Sequence, residues 1–211
     1  MKRIYVVSLP ERVWHWAQAT LFVVLAVTGF LMHGSAGLEE VSLAALIRVH
    51  NGAAVLFTVS FLFWLIYQVA SGRVRHYVRF ERDFGRRVAV QARFYLAGIF
   101  RGDPHPFPPT ADSKFNALQR LTYAAVMFVL VPLQVLTGVV LLGFVLRVEW
   151  LENLPAFRRI ALAHTGLSYA LVVFLVAHLY LATTGETPLD LVRSMFTGYH
   201  TEREEASDGS P

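Results

Sequence analysis

The chain has 211 residues, a formal net charge of +4 and a mean hydropathy of +0.47, and 55% of its residues are hydrophobic. A soluble domain of this length is much more polar, so the composition indicates an integral membrane protein. The chain has no cysteine, which excludes disulfide bonds, thiolate-bound iron–sulfur clusters and covalently attached c-type haem.

Four apolar stretches are each long enough to cross a bilayer, which takes about 20 residues in a helix. They predict helices at about 13–33, 44–70, 119–146 and 160–183, within a single membrane domain of residues 1–200. The predicted fold class is therefore all-α, a four-transmembrane-helix bundle with cytoplasmic amphipathic segments. The first stretch has no small-residue cleavage site, so we expect a permanent helix and not a cleaved signal peptide.

The connections between these helices differ in length and charge. The loop at about 71–118 is long and basic, and its 73–100 part has the pattern of amphipathic surface helices. Its aromatic side chains, Tyr77 and Tyr95 among them, are expected to face lipid. Residues 102–109 are rich in proline and are expected to be extended. The other segments are two short outer loops, a short surface helix and a disordered tail, at 34–40, 147–159, 188–196 and 201–211.

Lysine and arginine are distributed unevenly between the two sides of this bundle. Fifteen of the 19 basic residues fall on the side that holds both termini and the long loop. The positive-inside rule therefore predicts that both termini are cytoplasmic and that the chain is a multi-pass protein of the bacterial inner membrane. No nucleic-acid-binding motif accompanies these residues, so the expected partner of the basic loop is the lipid bilayer.

Two histidines lie fourteen residues apart in the fourth apolar stretch, which has no charged residue between Ile160 and Ala182. At 100° per residue, His164 and His178 share one helix face and are about 21 Å apart along the axis. Imidazole deep in a membrane is costly unless something binds its nitrogens. One helix that presents a ligand near each side of the membrane suggests two stacked haems.

Two further histidines match these depths. His15 begins helix one on the cytoplasmic side and pairs by level with His178, whereas His50 begins helix two on the outer side and pairs with His164. Two axial imidazoles give a low-spin haem that is suited to electron transfer. His33 shares the face of His15 at the outer end and is an alternative to His50. We favour His50 because it lies about one turn inside its helix.

Small residues and arginines near these histidines are further candidates for contacts with haem. The small residues leave room for a porphyrin, although close helix packing explains them equally well. They are Gly29, Thr137, Gly138, Gly166 and Ser168. The arginines can pair with haem propionates, although anchoring at the membrane interface is an alternative. They are Arg12, Arg48, Arg158 and Arg159, of which we assign Arg12 and Arg48, together with Gly29, to cofactor binding.

Three segments resemble the membrane cytochrome b subunits of respiratory formate dehydrogenases, nickel–iron hydrogenases and thiosulfate reductases, and the thiosulfate-reductase-like branch most. They are RVWHW at 12–16, KFNALQRLTY at 114–123 and the run from His164 to His200. The resemblance implies that four helices hold two b haems through one histidine on helix one, one on helix two and two on helix four. The matching residues are His15, His50, His164 and His178, paired as their depths suggest.

The resemblance also implies a quinone site near the cytoplasmic haem, with an asparagine before helix three. The matching residue is Asn116, and Gln119 lies one turn further on. A quinone needs polar partners at the membrane edge, and menaquinone or ubiquinone would be the substrate. Helix N-capping is the alternative role for Asn116. With the resemblance included, we favour the quinone contact.

The resulting hypothesis is a membrane-anchoring subunit of the respiratory chain that transfers electrons between quinone and a periplasmic redox subunit. The partner would carry iron–sulfur clusters or many haems, because this chain has no ligand set for substrate chemistry and no catalytic residue of its own. Association of several copies within the complex is left open. A stand-alone di-haem superoxide:quinone oxidoreductase is the first alternative, and the long loop between helices two and three argues against it. A haem-free anchor or transporter is the second.

Overall fold

The computed structural model describes residues 2–33, 42–78, 82–104, 106–107, 116–147, 156–185, 187 and 189–202. Within these ranges, four helices are long and apolar enough to cross a membrane. They are Leu9–His33 (α1), Leu43–Ala70 (α2), Ala117–Val145 and Phe157–Ala182. The predicted four-helix membrane bundle is therefore confirmed. The third span is made of Ala117–Ala125 and Val131–Val145, joined by a π-helical stretch, Val126–Leu130.

The helices of the long loop lie between the second and third spans. They are Arg75–Val78 (α3) and Phe84–Arg93 (α4), and α4 continues as a π-helical stretch, Phe94–Gly98, and a 3₁₀ turn, Ile99–Arg101. The two halves of the third span are then α5 and α6, the fourth span is α7, and Asp190–Thr197 forms α8. The short surface helix predicted at 188–196 corresponds to α8.

The first span begins earlier than its apolar stretch. We predicted a start near residue 13, whereas α1 begins at Leu9. The carboxylate of Glu11 explains the difference, because it accepts hydrogen bonds from the backbone N–H of Ser8 at 3.0 Å and from the Ser8 hydroxyl at 2.9 Å. This contact satisfies polar groups at the helix start, so the helix extends into the polar lead of the chain.

The two ends of the chain are joined by a short antiparallel sheet. Strand β1, Lys2–Tyr5, pairs with β2, Tyr199–Glu202, and Ile4 lies opposite His200. The prediction of a disordered tail from residue 201 is therefore wrong for Thr201 and Glu202, which are held by backbone pairing. The rest of that tail, 203–211, lies outside the described residues. Because the strands pair, both ends of the bundle's chain lie on the same side.

The aromatic side chains of the long loop do not all face outward as predicted. Tyr95 is buried, and Tyr77 packs edge-on against Trp64 with ring centroids 5.7 Å apart. Buried tyrosine hydroxyls need polar partners. Tyr77 accepts a hydrogen bond from the Gln68 side chain at 3.4 Å, and Tyr95 accepts one from Asn116 at 3.2 Å. These partners hold both rings against the bundle, whereas periodicity alone predicted that the rings face lipid.

The helices pack in two pairs, α1 along α2 and α6 along α7. A cluster of large apolar side chains joins the pairs near the middle of the bundle. Its buried members are Phe57, Phe61, Trp64, Val126, Val131 and Leu171. About half of the other large apolar side chains of the spans are exposed, as Phe63 and Val173 are. A surface of this kind is stable when lipid covers it.

Candidate functional site

Two predicted histidines meet at the end of the bundle where α1 begins and α7 ends, the end that the sequence predicts to be cytoplasmic and that is called the inner end below. The rings of His15 and His178 have centroids 6.2 Å apart and are tilted by 49°. His178 stacks on Phe174, and Tyr123 of the third span packs edge-on against it at 6.2 Å. Nδ1 of His15 is buried and makes no hydrogen bond within the described part of the chain. A buried ring nitrogen without a protein partner is costly, so this position suits a bound group.

The other two predicted histidines lie at the outer level, and His50 of α2 and His164 of α7 are close enough to interact electrostatically. Each ring contacts a threonine through Nδ1. The Thr28 hydroxyl lies 2.8 Å from Nδ1 of His50, and the Thr137 hydroxyl lies 2.9 Å from Nδ1 of His164. The sequence analysis treated Thr137 as a small residue that leaves room for a porphyrin, whereas the structure gives it a hydrogen bond to a histidine.

The third span supplies one more polar side chain at this level. The amide nitrogen of Gln134 lies 3.1 Å from Nε2 of His164, and the amide oxygen is buried without a hydrogen-bond partner among the described residues. Sequence reasoning missed Gln134 and Thr28. Gln134 carried a usable signal, because a glutamine within an apolar membrane helix needs a polar partner.

The glycines near the outer pair make room for the imidazole rings. A Cβ added to Gly29 would lie 3.7 Å from Cε1 of His50, and one added to Gly138 would lie 3.2 Å from Cε1 of His164. A Cβ at Gly166 would meet no atom within 4 Å. The predicted contact of Gly29 with a cofactor stays a prediction, and the neighbour that the structure shows is the His50 ring.

His50 and His33 are both close enough to His164 to interact with it electrostatically, but they differ in their hydrogen bonds, and the choice of His50 stays a prediction. Both ring nitrogens of His33 already have neighbours: Nδ1 lies 3.1 Å from the Gly29 carbonyl and Nε2 lies 3.2 Å from the Thr165 hydroxyl. The His33 ring is exposed and links the outer ends of α1 and α7. It therefore has a structural role that the sequence analysis did not anticipate.

Arg12 contacts the C-terminal segment. Its guanidinium donates to the carbonyl of Phe196 in α8, and the neighbouring Trp16 indole N–H donates to the Met195 carbonyl at 3.1 Å. Trp16 also stacks on the Phe196 ring, with centroids 4.3 Å apart. These contacts fix α8 against the start of α1. A propionate contact for Arg12 stays a prediction, as it does for the exposed Arg48.

Asn116 and Gln119 form a capping box at the start of α5. The Asn116 side-chain oxygen accepts from the Gln119 backbone N–H at 2.9 Å, and the Gln119 side-chain oxygen accepts from the Asn116 N–H at 3.1 Å. The sequence analysis favoured a quinone contact over a cap, and the structure shows the cap. The Asn116 amide nitrogen is directed instead to the Tyr95 hydroxyl, 3.2 Å away. A quinone role for Asn116 and Gln119 stays a prediction.

Tyr95 connects this cap to the inner histidine pair. Burial is the largest influence and raises the pKa of its hydroxyl, while hydrogen bonds with Asn116 and Gln91 act in the opposite direction. The Tyr95 hydroxyl is thus protonated and neutral at neutral pH. It is close enough to Tyr123 for the charged form of one tyrosine to influence the other, and the Tyr123 ring packs against His178. The sequence analysis missed Tyr95 as a site residue, because the contacts that define its position come from another helix.

Fold and site together define a multi-pass helical membrane protein whose interior holds histidines in two pairs, one near each end of the bundle. This arrangement is typical of membrane cytochromes, which bind haem through axial imidazoles. The chain belongs to the prokaryotic cytochrome b561 family, whose sequence model matches residues 6–198. It is therefore a b-type cytochrome of the membrane that takes part in electron transfer.

Curated relatives resemble nearly the whole chain. A protein named as a cytochrome, YdhU of Escherichia coli (strain K12), is 37% identical over 200 residues, which covers 94% of this chain and 75% of the relative. A protein of Cupriavidus necator named as a Ni/Fe-hydrogenase B-type cytochrome subunit is 28% identical, with 95% of this chain and 88% of the relative covered. A protein of Rhodobacter capsulatus with the same name is 23% identical, with 96% and 83% covered.

Proposed function

We propose that this cytochrome is a membrane-anchoring subunit with two b haems that transfers electrons across the membrane between quinone and a redox subunit on the periplasmic side. The observation that carries the proposal is the placement of His164 and His178. They lie at opposite ends of α7, and each lies near a histidine of another helix.

The residues that would hold the two groups are His15 and His178 at the inner level, and His50 and His164 at the outer level. The 6.2 Å distance between the ring centroids of His15 and His178, and the electrostatic interaction between His50 and His164, support a site at each level. A haem held at each level by these histidines would supply reversible one-electron transfer.

The quinone site belongs, in this proposal, at the inner end near Asn116. The Asn116 amide nitrogen and the Tyr95 hydroxyl are polar groups at the membrane edge that can hydrogen-bond to the oxygens of menaquinone or ubiquinone. The neutral Tyr95 hydroxyl can donate to a quinone carbonyl. Tyr123 packs against His178 and is near enough to Tyr95 to be influenced by it electrostatically, which supports a quinone site near the inner histidine pair.

The partner subunit is placed on the outer side because the basic residues mark the opposite side as cytoplasmic. Pairing of β1 with β2 puts both strands on one side, as an even number of spans requires, and the basic residues alone indicate which side that is. Two relatives are named as hydrogenase cytochrome subunits, which supports a role inside a larger redox complex. An iron–sulfur or multihaem protein would suit the partner, because this chain has no cysteine for such clusters.

A reduced-minus-oxidised spectrum of the purified protein, with haem quantified as the pyridine haemochrome, tests the cofactor content. We expect two b haems per chain, one haem after His164→Ala or His178→Ala, and two after the control His33→Ala. Fewer than two haems in the unsubstituted protein would contradict the proposal. Purification from its native membrane as a lone protein that oxidises superoxide would contradict the anchoring role.

A further inference from the structure

We infer that Thr28 and Thr137 are positioning residues that set the reduction potential of the outer haem. They act through His50 and His164, by fixing which ring nitrogen of each faces the haem. The inference rests on the proposed function, because it concerns the haem that we assign to the outer level.

The hydrogen bonds of Thr28 determine the tautomer of His50. A hydroxyl has one proton, and the Thr28 oxygen lies 2.7 Å from the carbonyl of Val24, one helical turn before it. With that proton donated to the backbone, the Thr28 oxygen can only accept from His50, whose Nδ1 lies 2.8 Å away. Nδ1 of His50 therefore carries the proton, and Nε2 carries the lone pair that a metal needs.

Thr137 repeats this arrangement on the third span. Its hydroxyl lies 2.9 Å from the Leu133 carbonyl and 2.9 Å from Nδ1 of His164. A second contact of His164 agrees independently, because the Gln134 amide donates to Nε2 at 3.1 Å, which requires a lone pair at Nε2. Both outer histidines are thus held with Nδ1 protonated. Binding of Nε2 to a metal would displace the Gln134 amide from that lone pair.

His15, at the inner level, lacks the same support. Nδ1 of His15 is buried and makes no hydrogen bond among the residues that the structure describes. Donation from Nδ1–H to an oxygen makes an imidazole a more basic ligand, and a more basic ligand stabilises ferric over ferrous iron. The two threonines therefore lower the potential of the outer haem, and the inner haem has no matching effect from His15.

Thr28→Val and Thr137→Val test the inference, because valine keeps the branched shape of threonine and removes the hydroxyl. The measurement is a spectroscopic redox titration of the two-haem protein. We expect one midpoint potential to be higher in the double variant than in the unsubstituted protein. At a fixed solution potential the ferrous to ferric ratio of that haem should rise about tenfold, which corresponds to about 59 mV for one electron. The midpoint that changes should be the one that is absent from His164→Ala, and the other should not move.

Matched variants separate this role from simple packing. Thr58→Val is the control, since Thr58 makes the same backbone contact, to the Ala54 carbonyl at 2.8 Å, on the helix that carries His50. It should leave both midpoints unchanged. Thr28→Ser and Thr137→Ser keep the hydroxyl and should retain the original potential. Loss of only the outer haem in the valine variants, with retention in the serine variants, also supports positioning.

The inference and the proposed function fail in different ways. An unsubstituted protein with fewer than two haems would refute the proposed function. Two haems in every variant, with both midpoints unmoved by the valine substitutions, would overturn the inference alone. An equal shift of both midpoints, or the same shift in Thr58→Val, would also overturn it, because neither result is specific to the outer pair.

Discussion

The rings of His15 and His178 lie 6.2 Å apart although they belong to the first and the last membrane-spanning helices. Local structure cannot bring them together, so the packing of the whole bundle defines this level. His15→Ala should therefore remove the inner haem and leave the outer one. We expect the haem content of the purified variant to fall from two to one, and its remaining midpoint to equal that of His178→Ala. Loss of both haems would instead indicate that the bundle itself depends on His15.

The Asn116 side chain has two roles: its oxygen caps α5, and its amide nitrogen donates to the Tyr95 hydroxyl. A single substitution can separate these roles. Asn116→Asp keeps the oxygen that accepts from Gln119 and removes the amide nitrogen that donates to Tyr95. We expect the helix cap to keep its contribution to stability, so the melting temperature should fall less than in Asn116→Ala. The KM for quinol should rise by roughly fivefold to tenfold, for one lost hydrogen bond of about 1 kcal/mol.

Asn116→Ala is the comparison for this experiment. It removes both functions and should also lower stability, by about 1 kcal/mol for a lost cap. A variant Asn116→Asp with normal quinol kinetics would show that Asn116 serves the helix only.

Gly138 is the glycine with least space beside a histidine. A Cβ there would lie 3.2 Å from Cε1 of His164, so Gly138→Ala should push the ring aside and reduce outer-haem occupancy, at a cost of about 1–3 kcal/mol. Gly52→Ala is the control, because a Cβ at Gly52 meets nothing within 4 Å. The control should be neutral or more stable by up to about 1 kcal/mol, since alanine favours a helix. Equal haem content in both variants would argue against the crowding.

Arg12 links α1 to the C-terminal segment through the Phe196 carbonyl. Arg12→Met keeps the aliphatic part of the side chain and removes this hydrogen bond. We expect limited proteolysis to release the C-terminal segment faster, several-fold, while both midpoint potentials stay unchanged. A shift in the inner midpoint would indicate the alternative role that the sequence analysis gave to Arg12, a contact with a haem propionate.

Much of the bundle could be predicted from the sequence because two signals are local. The length of each apolar stretch predicts a span, and the spacing of His164 and His178 places both on one helix face. Their depths then predict neighbours on the other helices, and the structure brings His15 near His178. None of these inferences needs knowledge of how the helices are rotated against one another.

The features that the sequence did not reveal depend on such rotations. Tyr95 was predicted to face lipid, yet its hydroxyl accepts from Asn116, which belongs to a different helix. The contact between Thr137 and His164 likewise joins two helices across the bundle. In both cases the partner is distant along the chain, and periodicity reports only which residues of one helix share a face. The pairing of Thr201 with Arg3 was missed for the same reason.

The pairing of β1 with β2 has a practical consequence for engineering the protein. Two reporter fragments fused at Lys2 and at Glu202, which lie opposite each other in the sheet, would start side by side, so the halves of a split fluorescent protein should reassemble without any contribution from a second molecule. The same closeness would allow a short peptide to join Lys2 to Glu202, which makes a circularly permuted chain, opened between two membrane helices, a realistic design.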